Sequence, residues 1–483
     1  MNALLVVSNP KRWPLRIPGV EVVGAREYLT DPRFAAMSRA KVFNLCRTYR
    51  YQTAGYYVSL LATARGHKPL PSVIPMQDLR LASIVRLASH DLDEIMQRAL
   101  HPLKSDEFEL SVYFGRNLAA KYDRLALALF NQFPAPLLRA TFVRDGTWRI
   151  EGVRLIGAAD IPDEHHGFVI EQAQAHLARP RRAPKAKPAS RFELAILRDP
   201  AEQMPPSDDK ALKRFAEAGA SMGIGVQCIA KDSFGSLAEY DALFIRETTA
   251  VNHHTYRFAR RAVAEGLVVI DDPESILRCT NKVFLAELMD RHGIPTPKTM
   301  IFSKETAQQV IDRIGFPCVI KQPDSAFSAG VTKIDSAEEF SQQTDALFEK
   351  SDLLLAQEFV PTEFDWRVGV LGGEPLYVCR YYMARRHWQI VKRDDKGVHA
   401  GRSDTLAVEN APRPVVTLAT RAARLVGNGL YGVDLKVIGG RPKVIEINEN
   451  PNIDSGVEDR VLGGFLYERI MQYFLKRLEE RSR

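Results

Sequence analysis

Cysteine is scarce. Five residues, Cys46, Cys228, Cys279, Cys318 and Cys379, are scattered, odd in number and without paired spacing, which excludes a disulfide framework and a cysteine-rich zinc site. They read as buried thiols of a reducing compartment. Long apolar runs are missing too: no stretch approaches a bilayer span, and residues 3–7 are too short for a signal-peptide core. A cytoplasmic location without a membrane partner is expected. Positive charge is not spread along the chain. The formal net charge is +7, but Arg179, Arg181, Arg182, Lys185, Lys187 and Arg191 supply six charges without an acidic neighbour. The remainder is close to neutral, so a broad nucleic-acid-binding face is not expected.

What is present divides a chain too long for one core. Residues 1–178 begin with strand-like runs at 4–7, 20–23 and 41–44. Helices are expected over 52–65, 79–89 and 118–130, and strands over 107–114, 137–143 and 147–156, with Asp145-Gly146 as a hairpin signal. This predicts a mixed α/β domain without a catalytic motif, in which His165-His166 starts a solvated helix. Residues 179–190 read as a basic, proline-rich linker. Strands at 192–197, 226–229, 241–245 and 267–270, alternating with helices over 210–222 and 256–265, predict a small parallel sheet for residues 191–278. Arg246-Glu247-Thr248 follows its third strand, where ligands of open α/β sheets gather. His253-His254 beyond it reads as a surface loop.

The pattern then changes. Asn281-Lys282 opens a helix to about residue 292, followed by a strand at 299–302, a helix at 306–314 and a strand at 318–321 that ends in Lys321. Residues 324–331 form a small-residue loop whose amides can approach an anion. With one glycine and no Gly-Lys-Ser/Thr ending it is no Walker loop. Runs at 353–360, 364–373 and 376–380 are expected as successive strands of one antiparallel sheet, turned at Gly372-Gly373. Residues 431–436 and 443–448 read as a hairpin closed by Gly439-Gly440. Glu446 and Asn448 share a strand face, and a pairing that sets Asp434 beside them would gather three hard oxygen ligands suited to Mg²⁺. The bland alternative is a polar hairpin end.

A lysine on a strand, a small-residue loop, Gln357-Glu-Phe-Val360, Asp365-x-Arg367, then Asp434 and Glu446-x-Asn448-x-Asn450-Pro451: this order resembles the ATP-grasp ligases over about residues 192–475. Phe327-Ser-Ala-Gly-Val331, Phe364-Asp-Trp-Arg367 and His387-Trp-Gln-Ile390 are similar to the RimK-like branch that carries an extra N-terminal domain. The resemblance implies an α/β and α+β multidomain chain: a mixed α/β N-terminal domain (1–178), a parallel-sheet pre-ATP-grasp domain (191–278) and an ATP-grasp fold (279–483). It implies ATP with Mg²⁺ or Mn²⁺, two ions, held by Asp434, Glu446 and Asn448. It implies that Lys282 and Lys321 bind phosphates, that the loop with Ser325, Ser328 and Gly330 closes over them, that backbone groups of Gln357, Glu358 and Phe359 read adenine, and that Asp365 accepts ribose hydroxyls. Arg367, with Arg380 and Asn450, would stabilise the oxyanion of acyl transfer. The implied activity is carboxylate–amine ligation through an acyl phosphate, adding glutamate or another amino acid to a peptide, a protein tail or a small molecule. One departure bears on substrate identity: where the glutamate-adding relatives carry Arg-Ser-Asn, this chain has Trp388-Gln389-Ile390. A mobile loop over the acceptor site is expected at 392–404. The other readings are an ATP-binding sensor or scaffold without turnover, and a ligase with a thiol acceptor; homo-oligomer formation is left open.

Overall fold

The computed structural model describes residues 2–13, 15, 17, 20–37, 40–80, 82–177, 190–324, 330–384, 387–394 and 397–481. The expected linker, apart from Ser190, and both Ser325 and Ser328 lie outside the described residues. The chain forms two compact units, Met1–Ala189 with Ile229–Tyr240, and Ser190–Cys228 with Asp241–Arg483.

In the first unit, β1 (Asn2–Val7), β2 (Glu21–Gly24), β3 (Ala40–Asn44) and β4 (Lys68–Leu70) make a parallel sheet in the order β2-β1-β3-β4. Leu4 and Val6 enter one apolar core while Leu5 and Val7 enter another, as a strand buried on both faces must. A meander of β5 (Glu107–Tyr113), β6 (Leu137–Asp145) and β7 (Thr147–Leu155) follows, turned at Gly146 with φ +72°. The helix expected over 79–89 is two helices, Val73–Asp78 and Ala82–Leu100. Between them the chain turns, with Leu79 N–H on Pro75 O and Arg80 N–H on Gln77 O. His165 and His166 stand half-buried where the helix His166–Leu177 starts, and His165 Nδ1 meets the hydroxyl of the buried Tyr113 at 2.9 Å.

The segment 229–240 belongs to this unit although it is distant in sequence. Its 3-10 helix, Lys231–Glu239, ends in a carboxylate that pairs with Lys41 and His176. Burial alone would raise the Glu239 carboxyl, but His176 and Lys41 outweigh it and hold the group down to about 2. Gly235 donates its N–H to Asn131 Oδ1 at 3.1 Å and lies on the Phe130 ring, where a Cβ would stand 2.6 Å from carbon.

The second unit begins with β8 (Phe192–Leu197), β9 (Ile224–Ile229), β10 (Ala242–Ile245) and β11 (Val268–Ile270), ordered β11-β10-β8-β9. This repeats the strand order of the first sheet. The helix Ala54–Ala64 and strand β4 recur at the same residue numbers plus 200, as His254–Ala264 and β11. Both helices stop at a glycine, Gly66 or Gly266, with φ +71°, and the bonds closing them correspond, Gly66 N–H to Thr63 O and Gly266 N–H to Val263 O. The register corresponds too: Leu45 N–H donates to Val6 O as Arg246 N–H donates to Leu197 O, both at 2.8 Å.

Two larger antiparallel sheets and one separate two-stranded pair complete the unit. β12 (Thr299–Phe302), β13 (Cys318–Lys321), β14 (Val331–Ile334) and β15 (Leu354–Glu358) are ordered β12-β15-β13-β14. β16 (Phe364–Leu371), β17 (Glu374–Tyr382), β18 (Val391–Asp394), β19 (Gly397–Ala400), β20 (Ser403–Leu406), β21 (Leu430–Ile438) and β22 (Arg441–Asn448) supply the sheet β20-β17-β16-β21-β22 and the separate pair β18-β19. The expectation of one sheet running through 353–380 is therefore corrected. Pro361, which cannot donate to a ladder, separates β15 from β16. The stretch at 392–404, expected as a mobile loop, contains most of the β18-β19 hairpin and the start of β20.

The helix Arg413–Val426 buries Val415, Leu418, Ala419, Ala422, Ala423 and Val426, a helical-period stripe that joins the core of β16, β21 and β22. The C-terminal helix Gly464–Arg481 buries Leu466, Ile470, Met471 and Phe474 in one core with Phe192, Ile196, Phe244 and Leu371. At about 1.5–3 kcal/mol per buried large apolar side chain, that shared core binds the parallel sheet to the C-terminal helix and to β16. Four cysteines are buried as expected, and Cys228 is exposed.

Candidate active site

The site grows from the β21-β22 hairpin. Gly439 and Gly440 take φ of +55° and +76°, the left-handed pair that a tight two-residue turn requires. The register then sets Asp434 opposite Glu446 and Gly432 opposite Asn448, while β16 sets Arg367 opposite Asp434 from the other side. Directly opposed residues share a face, so Arg367, Asp434 and Glu446 come together. Arg367 forks onto Asp434, Nε to Oδ1 and Nη2 to Oδ2, both at 2.7 Å. Burial works against the guanidinium charge, and Asp434 more than restores it, holding the Arg367 pKa well above its ordinary value. Gly432 makes room for this: a Cβ there would stand 2.7 Å from Pro451 Cβ and 3.4 Å from Arg367 Cδ.

Two lysines complete the polar floor. Lys282, at the start of the helix Lys282–Arg291, meets Glu446 at 2.9 Å, and Lys321, ending β13, donates to Gln357 Oε1 at 2.9 Å. Both are only 7% exposed. Burial, with Lys282 and Lys436 nearby, lowers the Lys321 ammonium to about 8 against the pull of Glu446. Burial would raise Glu446, but Lys282 and Lys321 keep it below its ordinary value. These groups line a pocket walled by Leu285, Met289, Leu355 and Val444. Apolar walls beside Lys282 and Lys321, with Glu446 as the one carboxylate of the lining, leave positive charge in excess. Such a pocket favours a flat apolar group carrying a polyanion.

Asp365 accepts from Lys436 at 2.6 Å and Thr362 at 3.0 Å, both on Oδ1, which leaves Oδ2 for a hydroxyl. Gly330, near the end of the small-residue loop, takes φ +73°, and its carbonyl accepts from Gln322 N–H. Glu358 turns its carboxylate to Lys443 at 3.0 Å, and Phe359 stands edge-on to Trp388. The amides of Glu358 and Phe359 are already engaged with Lys298 O and Pro317 O, so base readout by those two N–H groups is not open. Two expected catalytic residues are placed elsewhere. Arg380 pairs with Trp366 across the β16-β17 ladder, whereas Arg367 pairs with Cys379; neighbours along a strand point to opposite faces, so Arg380 lies on the face away from Arg367. There it forks onto Asp404. Asn450 accepts from Arg246 Nη1 at 2.8 Å and donates to Glu247 O at 2.7 Å, so its amide holds the end of β10 instead of meeting an oxyanion.

That end of β10 is charged and closed in. Arg246, 1% exposed, donates to Ser207 Oγ, Pro206 O and Pro451 O besides Asn450. Glu247 bonds His254, which is therefore no surface-loop residue. Lys436 is a site residue that the motif order missed; its two-residue spacing from Asp434, which puts both on one strand face, was the available signal.

The donor set fits Mg²⁺ or Mn²⁺. Asp434 and Glu446 are opposed carboxylates, and Asn448 turns its Nδ2 toward Asp434 Oδ2 at 3.2 Å, leaving its Oδ1 to accept. All three are hard oxygen ligands. Among the described residues no group of three or more His, Cys, Asp or Glu is placed to hold another metal.

Residues 25–172 match the family model of the RimK-like ATP-grasp N-terminal domain, and residues 279–453 match that of the ATP-grasp domain. The chain is an ATP-grasp ligase of the RimK-like group. It is 28% identical over 248 residues to an alpha-aminoadipate–LysW ligase, LysX, of Saccharolobus solfataricus, covering 46% of this chain and 82% of the relative. It is 27% identical over 239 residues to a probable alpha-L-glutamate ligase of Psychromonas ingrahamii, covering 48% of this chain and 76% of the relative. A solved RimK domain ATP-grasp protein from Sphaerobacter thermophilus aligns over 58% of the ligase and 98% of its own length, at 17% identity and a TM-score of 0.46. The ligase joins a carboxylate to an amine, and enzymes of this superfamily use ATP with Mg²⁺ or Mn²⁺. No helix among its described residues is long and apolar enough to cross a membrane.

Proposed function

We propose that the ligase activates a carboxylate as an acyl phosphate with ATP and transfers it to an amine, with glutamate or a related amino acid as one partner and a peptide, protein tail or small molecule as the other. The observation that carries this reading is the meeting of Lys282, Lys321 and Glu446 in one apolar-walled pocket, with Asp434, Arg367 and Asn448 beside Glu446 on the same sheet face. The names of the relatives support an amino acid as substrate. Their being ligases supports turnover over a sensor or scaffold role. The division into residues 1–178, 191–278 and 279–483, amended by the packing of 229–240 into the first unit, and a cytoplasmic location belong to the same proposal.

The roles follow from charge and position. Lys282 and Lys321 hold the phosphates as buried point charges. Asp365 Oδ2 takes a ribose hydroxyl. Asp434, Glu446 and Asn448 hold the metal ions, which when bound neutralise charge on the transferring phosphoryl oxygens. Arg367 engages Asp434 through Nε and Nη2, and its Nη1 has no hydrogen-bond partner among the described residues, so it orients a metal ligand and presents a guanidinium edge to the oxyanion of acyl transfer. Asn450, bonded to Arg246 and Glu247, fixes the strand end that carries Asn448. Closure by the segment 324–331 would exclude water, which competes with the amine for the acyl phosphate.

The test is a mass-spectrometric survey of products formed by the purified protein with ATP, Mg²⁺ and each of the twenty amino acids, alone and with cell extract. An ATP-dependent amide product that disappears with Asp434→Ala supports the reading. Failure to bind nucleotide, or ligation unaffected by Asp434→Ala, overturns it.

A further inference from the structure

The first parallel sheet repeats the second in strand order and register, yet only the second has its strand end, Arg246, bonded to Asn450 and Pro451 beyond the β21-β22 hairpin. In the first sheet β2 and β4 lie on opposite sides of the β1-β3 pair. The loops leaving β1 and β3 therefore flank the crevice where ligands of such sheets gather. We infer that this edge, formed by residues 8–11 and 45–57 of the first unit, is a docking surface for an acidic peptide segment belonging to a macromolecular substrate. The inference rests on the peptide or protein branch of the proposed function.

The loop is held in one conformation from beneath. Asn44, fully buried, donates Nδ2 to Gly55 O at 2.7 Å and Ser59 Oγ at 2.9 Å, and its Oδ1 accepts from Cys46 N–H at 3.2 Å. Tyr49 donates its hydroxyl to Asn44 O at 2.8 Å, and Arg47 N–H donates to Ser8 Oγ at 2.9 Å, joining the two loops. Gly55 is packed so closely that a Cβ would lie 2.2 Å from Thr48 O. Gln52 takes φ +63°, a left-handed conformation that a non-glycine residue keeps only when its surroundings impose it.

What this platform presents outward is aromatic and cationic. Tyr51 is 59% exposed and Tyr57 38% exposed, joined through Tyr56 by edge contacts at 5.2 and 5.6 Å. Lys11, Arg47 and Arg50 are exposed. Neither 8–13 nor 45–57 contains an Asp or Glu, and none of the three cations has an ion pair with a described residue. Asp160, which approaches Arg47 through Gly157, engages its Oδ2 with the Gly157 N–H. Tyrosine and arginine on a rigid support are the composition of binding hot spots, and the ordering cost is met before a partner arrives. Guanidinium groups without carboxylate partners select carboxylates, which they can hold with two hydrogen bonds. A partner rich in Asp and Glu fits this charge. Three cations give too few phosphate contacts for tight nucleic-acid binding.

The experiment is fluorescence anisotropy of a fluorescein-labelled deca-glutamate peptide with the full-length protein, against an oligo-dT of ten nucleotides as competitor. Binding that weakens on adding salt, falls at least about thirtyfold in the double variant Arg47→Glu/Arg50→Glu and about fivefold in Tyr51→Ala supports the docking surface. Nucleotide-induced thermal stabilisation, measured on each variant, shows that the fold is kept. Absence of peptide binding, equal binding by the double variant, or tighter binding of oligo-dT overturns the inference. Loss of nucleotide binding by the unaltered protein would instead strike the proposed function, so the two failures are distinguishable.

Discussion

Leu45 and Arg246 occupy equivalent places in two sheets of one plan, each donating its backbone N–H to the central strand beside it, Val6 in the first sheet and Leu197 in the second. Their side chains differ completely in chemistry. By the same correspondence Cys46 matches Glu247, and Pro71, which follows β4, matches Asp271, which follows β11. All six are buried. The first sheet therefore closes its carboxyl edge with apolar groups, and the second closes the same edge with an arginine and two carboxylates. Since the plan folds without the charges, the charges do not serve the plan. Burying them costs several kcal/mol per ion before pairing, and the arginine's bonds run to Asn450 and Pro451, directly after β22, the strand proposed to carry metal ligands.

Four perturbations would break or sharpen this contrast. The largest effect is expected where chemistry is assigned to the second unit alone: Glu446→Gln should lower kcat by about a thousandfold while the first unit keeps its thermal transition. A smaller loss would move the metal end away from this hairpin. Next, Leu45→Arg would place in the first sheet the residue of the second without its partners. An uncompensated buried charge should cost about 3 kcal/mol of that unit's stability, read by calorimetry, with nucleotide binding intact; an unchanged melting profile would mean the edge is open to water. The reciprocal Arg246→Leu leaves Asn450 and Ser207 without a donor, and a loss of about a hundredfold in kcat with a smaller change in the nucleotide KM is expected. Wild-type turnover would show that the buried charge is structural only.

The smallest effect is a titration. Phosphate favours the charged form of Lys321, whose pKa in the folded chain is about 8. Nucleotide affinity should hold below pH 8 and fall by up to about tenfold per pH unit above it; Lys321→Arg should flatten that limb in an isothermal titration series. For stability the sign is opposite. The folded value lies below the ordinary 10.5, so the charged amine opposes folding below pH 8, and the opposition fades between about 8 and 10.5.

The hairpin was legible because its turn glycines and its alternation are local, and Asp434, Glu446 and Asn448 follow once the two strands pair. Arg367 and Arg380 could not be separated that way. Which face an arginine takes depends on the register with a neighbouring strand, and nothing within either strand states it. The assignment of β15 to a second sheet was missed for the same reason, since strand character is local and sheet membership is not. Asn450 was placed by its motif, but its engagement with Arg246 is a contact across more than 200 residues. The recurrence of the parallel sheet is carried by hydrogen bonds and turn geometry, with few residues in common: Tyr56 and Tyr256, Ala62 and Ala262, Gly66 and Gly266 among them.

The placement of Ile229–Tyr240 has a practical meaning for dissecting the enzyme. The first unit is not a contiguous piece of chain, so after a protease cut within 178–189 its N-terminal part would be held only by its packing on residues 229–240, which remain in the crossover between β9 and β10. A truncation ending at residue 178 would lose Glu239 and leave Lys41 and His176 without their shared carboxylate. One starting at 190 would carry Gly235 without Phe130 and Asn131, which cover it. Separate expression of either half is thus expected to yield poorly folded protein, and the two parts are best compared inside the intact chain.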